Sequence, residues 1–193
     1  MKKNSLLTIP NLLSLYRIAV IPAMIALFFY DGLLAAWINL FLFALAGASD
    51  FLDGYIARKT GQTSLTGKVL DLLSDKLIVG VVLVLLIAFE RLDGLWIIPA
   101  IIIYVREIII SSVREFMAHQ GVNVAVSKLG KWKLTVQMFS MGWLVVGDYG
   151  DILVPHTMMI GKSLFIVATI LTVISGWDYM RAAWKTIRQH EQG

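Results

Sequence analysis

The stretch from Asp50 to Asp75, DFLDGYIARKTGQTSLTGKVLDLLSD, decides how this chain is read. It holds four aspartates in a fixed frame: Asp50, Asp53 and Gly54, then Ala57 and Arg58, then Gly67, Asp71 and Asp75. On a helix, Asp50, Asp53, Gly54 and Ala57 follow an i, i+3, i+4, i+7 pattern and share one stripe. Gly67, Asp71 and Asp75 follow i, i+4, i+8 and share a second. A short turn around Gly61 would set the two stripes face to face, so that four carboxylates converge.

The chain around this frame is apolar. Of its 193 residues, 58% are hydrophobic and 16% charged, with a mean hydropathy of +0.77, against roughly 25% charged in a soluble domain. The length suits a single domain over residues 1–193. Six stretches approach the roughly 20 residues that cross a bilayer: roughly 12–30, 33–56, 69–89, 95–117, 132–147 and 155–180, the fifth being the shortest. Helices are expected, because lipid cannot satisfy free backbone groups and no strand-like alternation repeats. The expected architecture is therefore all-α and polytopic, with six transmembrane helices preceded by a short interfacial N-terminal helix. Pro10 and Asn11 interrupt the apolar stretch after Lys2 and Lys3, so no cleavable signal is expected.

Charge alternates along the connections. Lys2 and Lys3, then Arg58, Lys59 and Lys68, then Lys128, Lys131 and Lys133, then Arg181, Lys185 and Arg188 form one set. Asp31, then Glu90, Arg91 and Asp93, then Asp148 and Asp151 form the other. The positive-inside rule makes the first set cytoplasmic, together with both termini and the aspartate frame. The net charge of +4 is then an orientation signal and an attraction to anionic lipid. Its dispersal over four membrane-flanking segments argues against a nucleic-acid partner. Trp37, Trp96 and Tyr149 are expected at the outer interface, and Trp132, Tyr179 and Trp184 at the inner one. Pro22 and Pro99 are expected to kink or start helices, and Pro155 to start the last span.

Four close carboxylates cannot all ionise unaided, and divalent cations resolve the conflict. With no cysteine and three scattered histidines, hard oxygen donors favour Mg²⁺, Mn²⁺ or Ca²⁺ over zinc. Shared carboxylates suit two ions about 3.5–4 Å apart, a clamp for phosphoryl displacement. Arg58 offers a planar fork to a diphosphate. Gly54 and Gly67 let a ligand approach the backbone, and Ala57 keeps the stripe small. The competing reading has the carboxylates solvated, or paired with Arg58, Lys68 and Lys76. One aspartate alone would not decide against it, but the whole frame does, since ionisable groups beside apolar spans are costly. A carboxylate-lined ion transporter is the alternative from another class. It calls for carboxylates at the midplane, whereas these flank a basic turn.

A second constellation lies downstream. Arg106 and Arg114 share a helical face with Ile110, each is followed by a glutamate (Glu107, Glu115), and Lys128, Lys131 and Lys133 open the fifth span. Arginine in a span wants a partner. Either arginine could find it in Glu107, Glu115 or an aspartate; both together with Lys131 point to an anionic acceptor. Asn11 and Arg17 are less specific and suit capping, bracing or pairing with a carboxylate.

The aspartate frame resembles the signature of the CDP-alcohol phosphatidyltransferase family at every fixed position. Arg106 to Glu115, then Gly130-Lys131-Trp132-Lys133, and Pro10-Asn11-Leu12-Leu13-Ser14 with Arg17 resemble its bacterial phosphatidylglycerophosphate synthase branch. Many relatives carry Thr where Ser14 stands, and the resemblance weakens in the last span. It implies a six-helix fold in the bacterial inner membrane, usually a homodimer, with a cytoplasm-facing site for two Mg²⁺ or Mn²⁺ ions. By position, Asp50, Asp53, Asp71 and Asp75 would hold the metals, with Asp75 also the general base. Gly54, Ala57, Arg58 and Gly67 would receive CDP, while Arg106, Arg114 and Lys131, with Lys128 nearby, would receive the acceptor phosphate. The implied reaction joins CDP-diacylglycerol to sn-glycerol 3-phosphate, giving phosphatidylglycerophosphate and CMP. Inositol phosphate or phosphatidylglycerol are the alternative acceptors.

Overall fold

A computed structural model describes residues 9–60, 65–122 and 128–191. The side chains at 9, 10, 51, 53–60, 65, 66, 68, 128, 131 and 189–191 lie outside that description. Six α-helices occupy it: α1 (Ile9–Phe28), α2 (Leu33–Thr60), α3 (Leu65–Ala88), α4 (Ile97–His119), α5 (Lys128–Val146) and α6 (Thr157–Glu191). Two 3-10 turns, Gly94–Trp96 and Gly147–Ile152, precede α4 and follow α5. No strand occurs among the described residues, as the apolar runs demand.

Among the described residues, four segments are long and apolar enough to cross a membrane: Asn11–Phe28, Leu33–Asp50, Gly94–His119 and Thr157–Arg188. α3 carries Lys68, Asp71, Asp75 and Lys76 in its first half, and α5 carries Lys128, Lys131 and Lys133 at its start. Those charges make both helices less apolar than the other four. The expected interfacial helix falls on residues 1–8, outside the described residues. α6 runs to Glu191, well past the expected end near 180. It starts at Thr157 rather than Pro155, because the Asp151 carboxylate accepts from the Thr157 N–H at 2.8 Å and caps the helix there.

The chain divides into two compact units: residues 1–91 with 142–158, and residues 92–141 with 159–193. In the first, α1 packs on both α2 and α3. Val20, Met24, Phe43, Ala46, Val82 and Leu86 are buried there. Asn39 Nδ2 donates to Met24 O at 3.2 Å and ties α2 to α1. Gly142 lies close under Leu40; a Cβ at Gly142 would stand 3.2 Å from Leu40 Cδ1. In the second unit, Ile103, Ile110, Met117, Phe165, Ala168 and Ala183 are buried. Large apolar side chains such as Leu34, Phe41, Ile101, Phe139, Ile170 and Val173 stay exposed, as lipid-facing positions do where tails are as apolar as the side chains.

Candidate active site

The N-terminal half of α1 supplies the centre of the first unit's polar end. Asn11, Ser14 and Arg17 recur at intervals of three on one face, and all three are buried. Arg17 is fully enclosed. Its Nη1 donates to Asp50 Oδ1 and its Nη2 to Asp71 Oδ1, both at 2.7 Å. Nη2 also lies 3.4 Å from Ser14 Oγ. One guanidinium thus spans the two aspartate-bearing helices, using the rigid fork that a lysine lacks. Ser74 Oγ donates to Asp71 O at 3.0 Å and keeps its own hydroxyl within α3.

The carboxylates are not sealed in. The Asp50 and Asp71 side chains are 36% and 53% exposed, against 1% for Arg17. Asp75, one turn beyond Asp71, is exposed as well, and Gly67, one turn before it, is half-buried. Asp53, Gly54, Ala57 and Arg58 follow Asp50 on helical backbone, and their side chains lie outside the described residues. Among the described side chains, no group of three His, Cys, Asp or Glu gathers; what comes together is the pair Asp50 and Asp71, each from a different stripe of the frame. Two described carboxylates meet at one guanidinium. Their donors are all oxygen, the chemistry of a hard divalent cation.

The second unit holds the basic constellation. Arg106 Nη2 donates to Ser175 Oγ on α6 at 3.0 Å, and Nη1 stands 3.8 Å from Glu107 Oε2. Gly176 makes room for it: a Cβ there would meet Arg106 Nε at 3.1 Å and Cγ at 3.2 Å. Arg114 lies over the Tyr179 ring, 5.4 Å from its centroid. Arg106 and Arg114 therefore face α6 together, as their spacing predicts. Tyr179 does not sit in an aromatic belt; its ring packs with Ile110 and Ala183 in the core. Lys131 and Lys128 lie in the first turn of α5, with side chains outside the described residues. Sequence reasoning counted Lys133 in the basic constellation without giving it a role; it is buried and paired with Glu107. Sequence reasoning missed Gln137, one turn further along α5 and fully buried. The i, i+4 spacing of Lys133 and Gln137 was the available signal.

The far end of the first unit has a different character. Arg91 Nη1 donates to Leu144 O at 2.8 Å and to Val145 O, closing the C-terminus of α5. Its guanidinium lies 5.0 Å from the Phe28 ring centroid. Burial holds the Arg91 pKa below the ordinary guanidinium value, against the pull of Asp148, Tyr149 and Asp31. A cavity of about 260 Å³ lies against Arg91, Phe28, Asn39 and Tyr149. None of the predicted site residues lines it.

The model of the CDP-alcohol phosphatidyltransferase family matches residues 7–179. A protein of Rickettsia bellii named CDP-diacylglycerol--glycerol-3-phosphate 3-phosphatidyltransferase is 40% identical over 92% of this chain and 96% of its own. A protein of that name from Salmonella choleraesuis is 37% identical over 91% of this chain and 94% of its own. The crystal structure of phosphatidylinositol phosphate synthase from Mycobacterium tuberculosis superposes with a TM-score of 0.65. It covers 92% of this chain and 90% of that one, and at 22% identity it speaks for the fold alone. With the Asp50 to Asp75 frame intact and nearly the whole length matched, this chain belongs to the CDP-alcohol phosphatidyltransferase family.

Proposed function

We propose that the protein transfers a phosphatidyl group from CDP-diacylglycerol to sn-glycerol 3-phosphate, giving phosphatidylglycerophosphate and CMP in phospholipid biosynthesis. The observation that carries the reading is the Arg17 bridge. It draws Asp50 of α2 and Asp71 of α3 to one guanidinium at 2.7 Å each, which supports a single site fed by both halves of the frame. The names borne by the Rickettsia and Salmonella relatives supply the donor and the acceptor.

Asp50, Asp53, Asp71 and Asp75 would hold Mg²⁺ or Mn²⁺; their donors are all oxygen, and those of Asp50, Asp71 and Asp75 are partly exposed, which suits either ion. Bound there, the ions would neutralise the diphosphate and stabilise the leaving group. Gly54, Ala57, Arg58 and Gly67 receive the CDP moiety. Arg106, Arg114 and Lys131 hold the acceptor phosphate, the group that gives cations within a span their purpose. Asp75 accepts the proton of the acceptor's primary hydroxyl. That oxygen attacks the β-phosphorus in line, the bond to the CMP oxygen breaks, and CMP leaves. Six spans, cytoplasmic termini and site, a bacterial inner-membrane location and a homodimer complete the reading. The charge alternation along the chain supports the orientation.

The test is purified protein in detergent with CDP-diacylglycerol and a panel of acceptors: sn-glycerol 3-phosphate, inositol phosphate and phosphatidylglycerol. Products are identified by mass. Phosphatidylglycerophosphate should dominate, and Asp75→Asn should abolish CMP release with the fold intact. Preference for another acceptor overturns the assignment of substrate. Near-normal CMP release by Asp75→Asn overturns the role of the base.

A further inference from the structure

The interior of the second unit holds buried polar groups that the proposed reaction does not yet use. The Gln137 amide is fully buried, and neither its nitrogen nor its oxygen has a hydrogen-bond partner among the described residues. The hydroxyl of Thr172, also fully buried, has none either. An unsatisfied buried donor or acceptor costs its full desolvation, and replacing it by an apolar group of the same shape removes that cost. Native proteins leave few such groups, and each calls for an explanation. Among the described residues, Gln137 and Thr172 contribute three orphan polar atoms to this unit, beside Arg106 Nε and the Tyr179 hydroxyl.

Their placement supplies one. Gln137 is one turn along α5 from Lys133, which pairs with Glu107. Glu107 adjoins Arg106, and Arg106 donates to Ser175. Thr172 is one turn before Ser175 on α6, and the Ser175 hydroxyl donates to the Thr172 carbonyl at 3.3 Å. Residues one turn apart on a helix are neighbours at about 5–6 Å. Gln137 thus shares a helical face with Lys133, and Thr172 one with Ser175, two members of the network that contains Arg106. Arg106 and Lys133 both pair with Glu107 there, and the acceptor phosphate proposed for Arg106 would lie beside them. The Gln137 amide offers a donor and an acceptor side by side, and a ligand hydroxyl is both. A ligand carrying a phosphate and neighbouring hydroxyls satisfies the cations and the orphan groups at once.

We infer that Gln137, assisted by Thr172, is the specificity-determining contact for the non-reacting hydroxyl of a polyol phosphate acceptor. This rests on the reading that Arg106 holds the acceptor phosphate. For sn-glycerol 3-phosphate the hydroxyl concerned is the secondary one, beside the primary hydroxyl that reacts.

The experiment compares sn-glycerol 3-phosphate with 3-hydroxypropyl phosphate, which lacks that hydroxyl, in wild type, Gln137→Leu and Thr172→Val. Wild type should favour the full acceptor in kcat/KM by roughly 10- to 100-fold, the rate equivalent of one polar group left unpaired. In Gln137→Leu the preference should collapse toward one. The loss should fall on the full acceptor, with KM for CDP-diacylglycerol unchanged and thermal stability equal or higher. A Gln137→Leu preference equal to wild type overturns the inference and assigns the orphan groups to buried water. An equal loss with both acceptors, accompanied by a lower Tm, overturns it in favour of a packing role. If Gln137→Leu does not fold, Thr172→Val decides, since the lost hydroxyl should reduce the preference in the same direction. If wild type turns over inositol phosphate instead, the acceptor assignment fails by itself. The same Gln137 comparison is then made with that phosphate and its deoxy analogue.

Discussion

Arg17 Nη2 lies 2.7 Å from Asp71 Oδ1, across 54 residues of sequence. With Asp50 on the other arm at the same distance, the guanidinium fixes the separation of two carboxylates that belong to different helices. It does so from a fully buried position, while the carboxylates remain partly open. Arg17 therefore positions both without competing for their solvent-facing sides.

Arg17→Lys keeps the charge and loses the fork, so a single ammonium cannot span both carboxylates. CMP release at saturating Mg²⁺ should fall by about 100-fold, the scale expected when reacting groups are misplaced by an ångström or so. Circular dichroism and the detergent-solubilised elution profile should remain those of wild type. Wild-type turnover by Arg17→Lys would mean that the bridge has no part in the reaction.

Gly176→Ala separates packing from binding. Alanine is the better helix former by about 1 kcal/mol, so thermal stability should hold or rise. The new Cβ would press on Arg106 Nε and Cγ and draw the guanidinium off Ser175. KM for the acceptor should rise several-fold, with kcat and the CDP-diacylglycerol KM little changed. A normal acceptor KM would show that Arg106 does not need this seat.

How much of this was legible beforehand follows from what sequence spacing can carry. Helical periodicity placed Asp50, Asp71 and Asp75 on stripes, and it placed Arg106 and Arg114 on one face of α4. Arg106 and Arg114 both face α6, and Asp50 and Asp71, one from each stripe, meet at Arg17. Periodicity says nothing of partners on another helix. Arg17 could cap, brace or pair, and the packing of α1 against α2 and α3 decided among these. Tyr179 has the composition of a belt residue and became core because it faces Ile110 across α4 and α6. The end of α6 was misjudged because hydropathy falls near 180, while helix propensity in its Ala, Lys and Arg-rich tail does not.

At the opposite end of the first unit from Asp50, Gly147 adopts φ +61, in the left-handed region that costs other residues about 1–2 kcal/mol. A Cβ there would also stand 3.0 Å from Arg91 Cζ, displacing the guanidinium from the carbonyls of Leu144 and Val145. Gly147→Ala should lower Tm by several degrees. Activity at low temperature should be retained, because the aspartate frame lies at the other end. In an Arg91→Met background the penalty should shrink toward the backbone cost alone, a coupling that a double-mutant cycle measures. Additive penalties would show that the contact is not felt.

The pH dependence is set in the same region by Tyr149, whose phenol donates to the Asp31 carboxylate. That hydrogen bond, then burial and the Asp31 charge, holds the Tyr149 pKa above its ordinary value near 10. The proton is held more tightly in the folded state than in the unfolded chain. Its stabilising contribution is complete below pH 10 and is lost as pH rises through the raised value. Asp31 is exposed and Tyr149 only half-buried, so the effect is small. The comparison that isolates it is Tm against pH for wild type and Tyr149→Phe in detergent. Wild type should be the more stable below pH 10, and the difference should close at higher pH. A difference that persists unchanged to pH 12 would mean that the phenolic proton contributes nothing, and that the ring alone stabilises the turn.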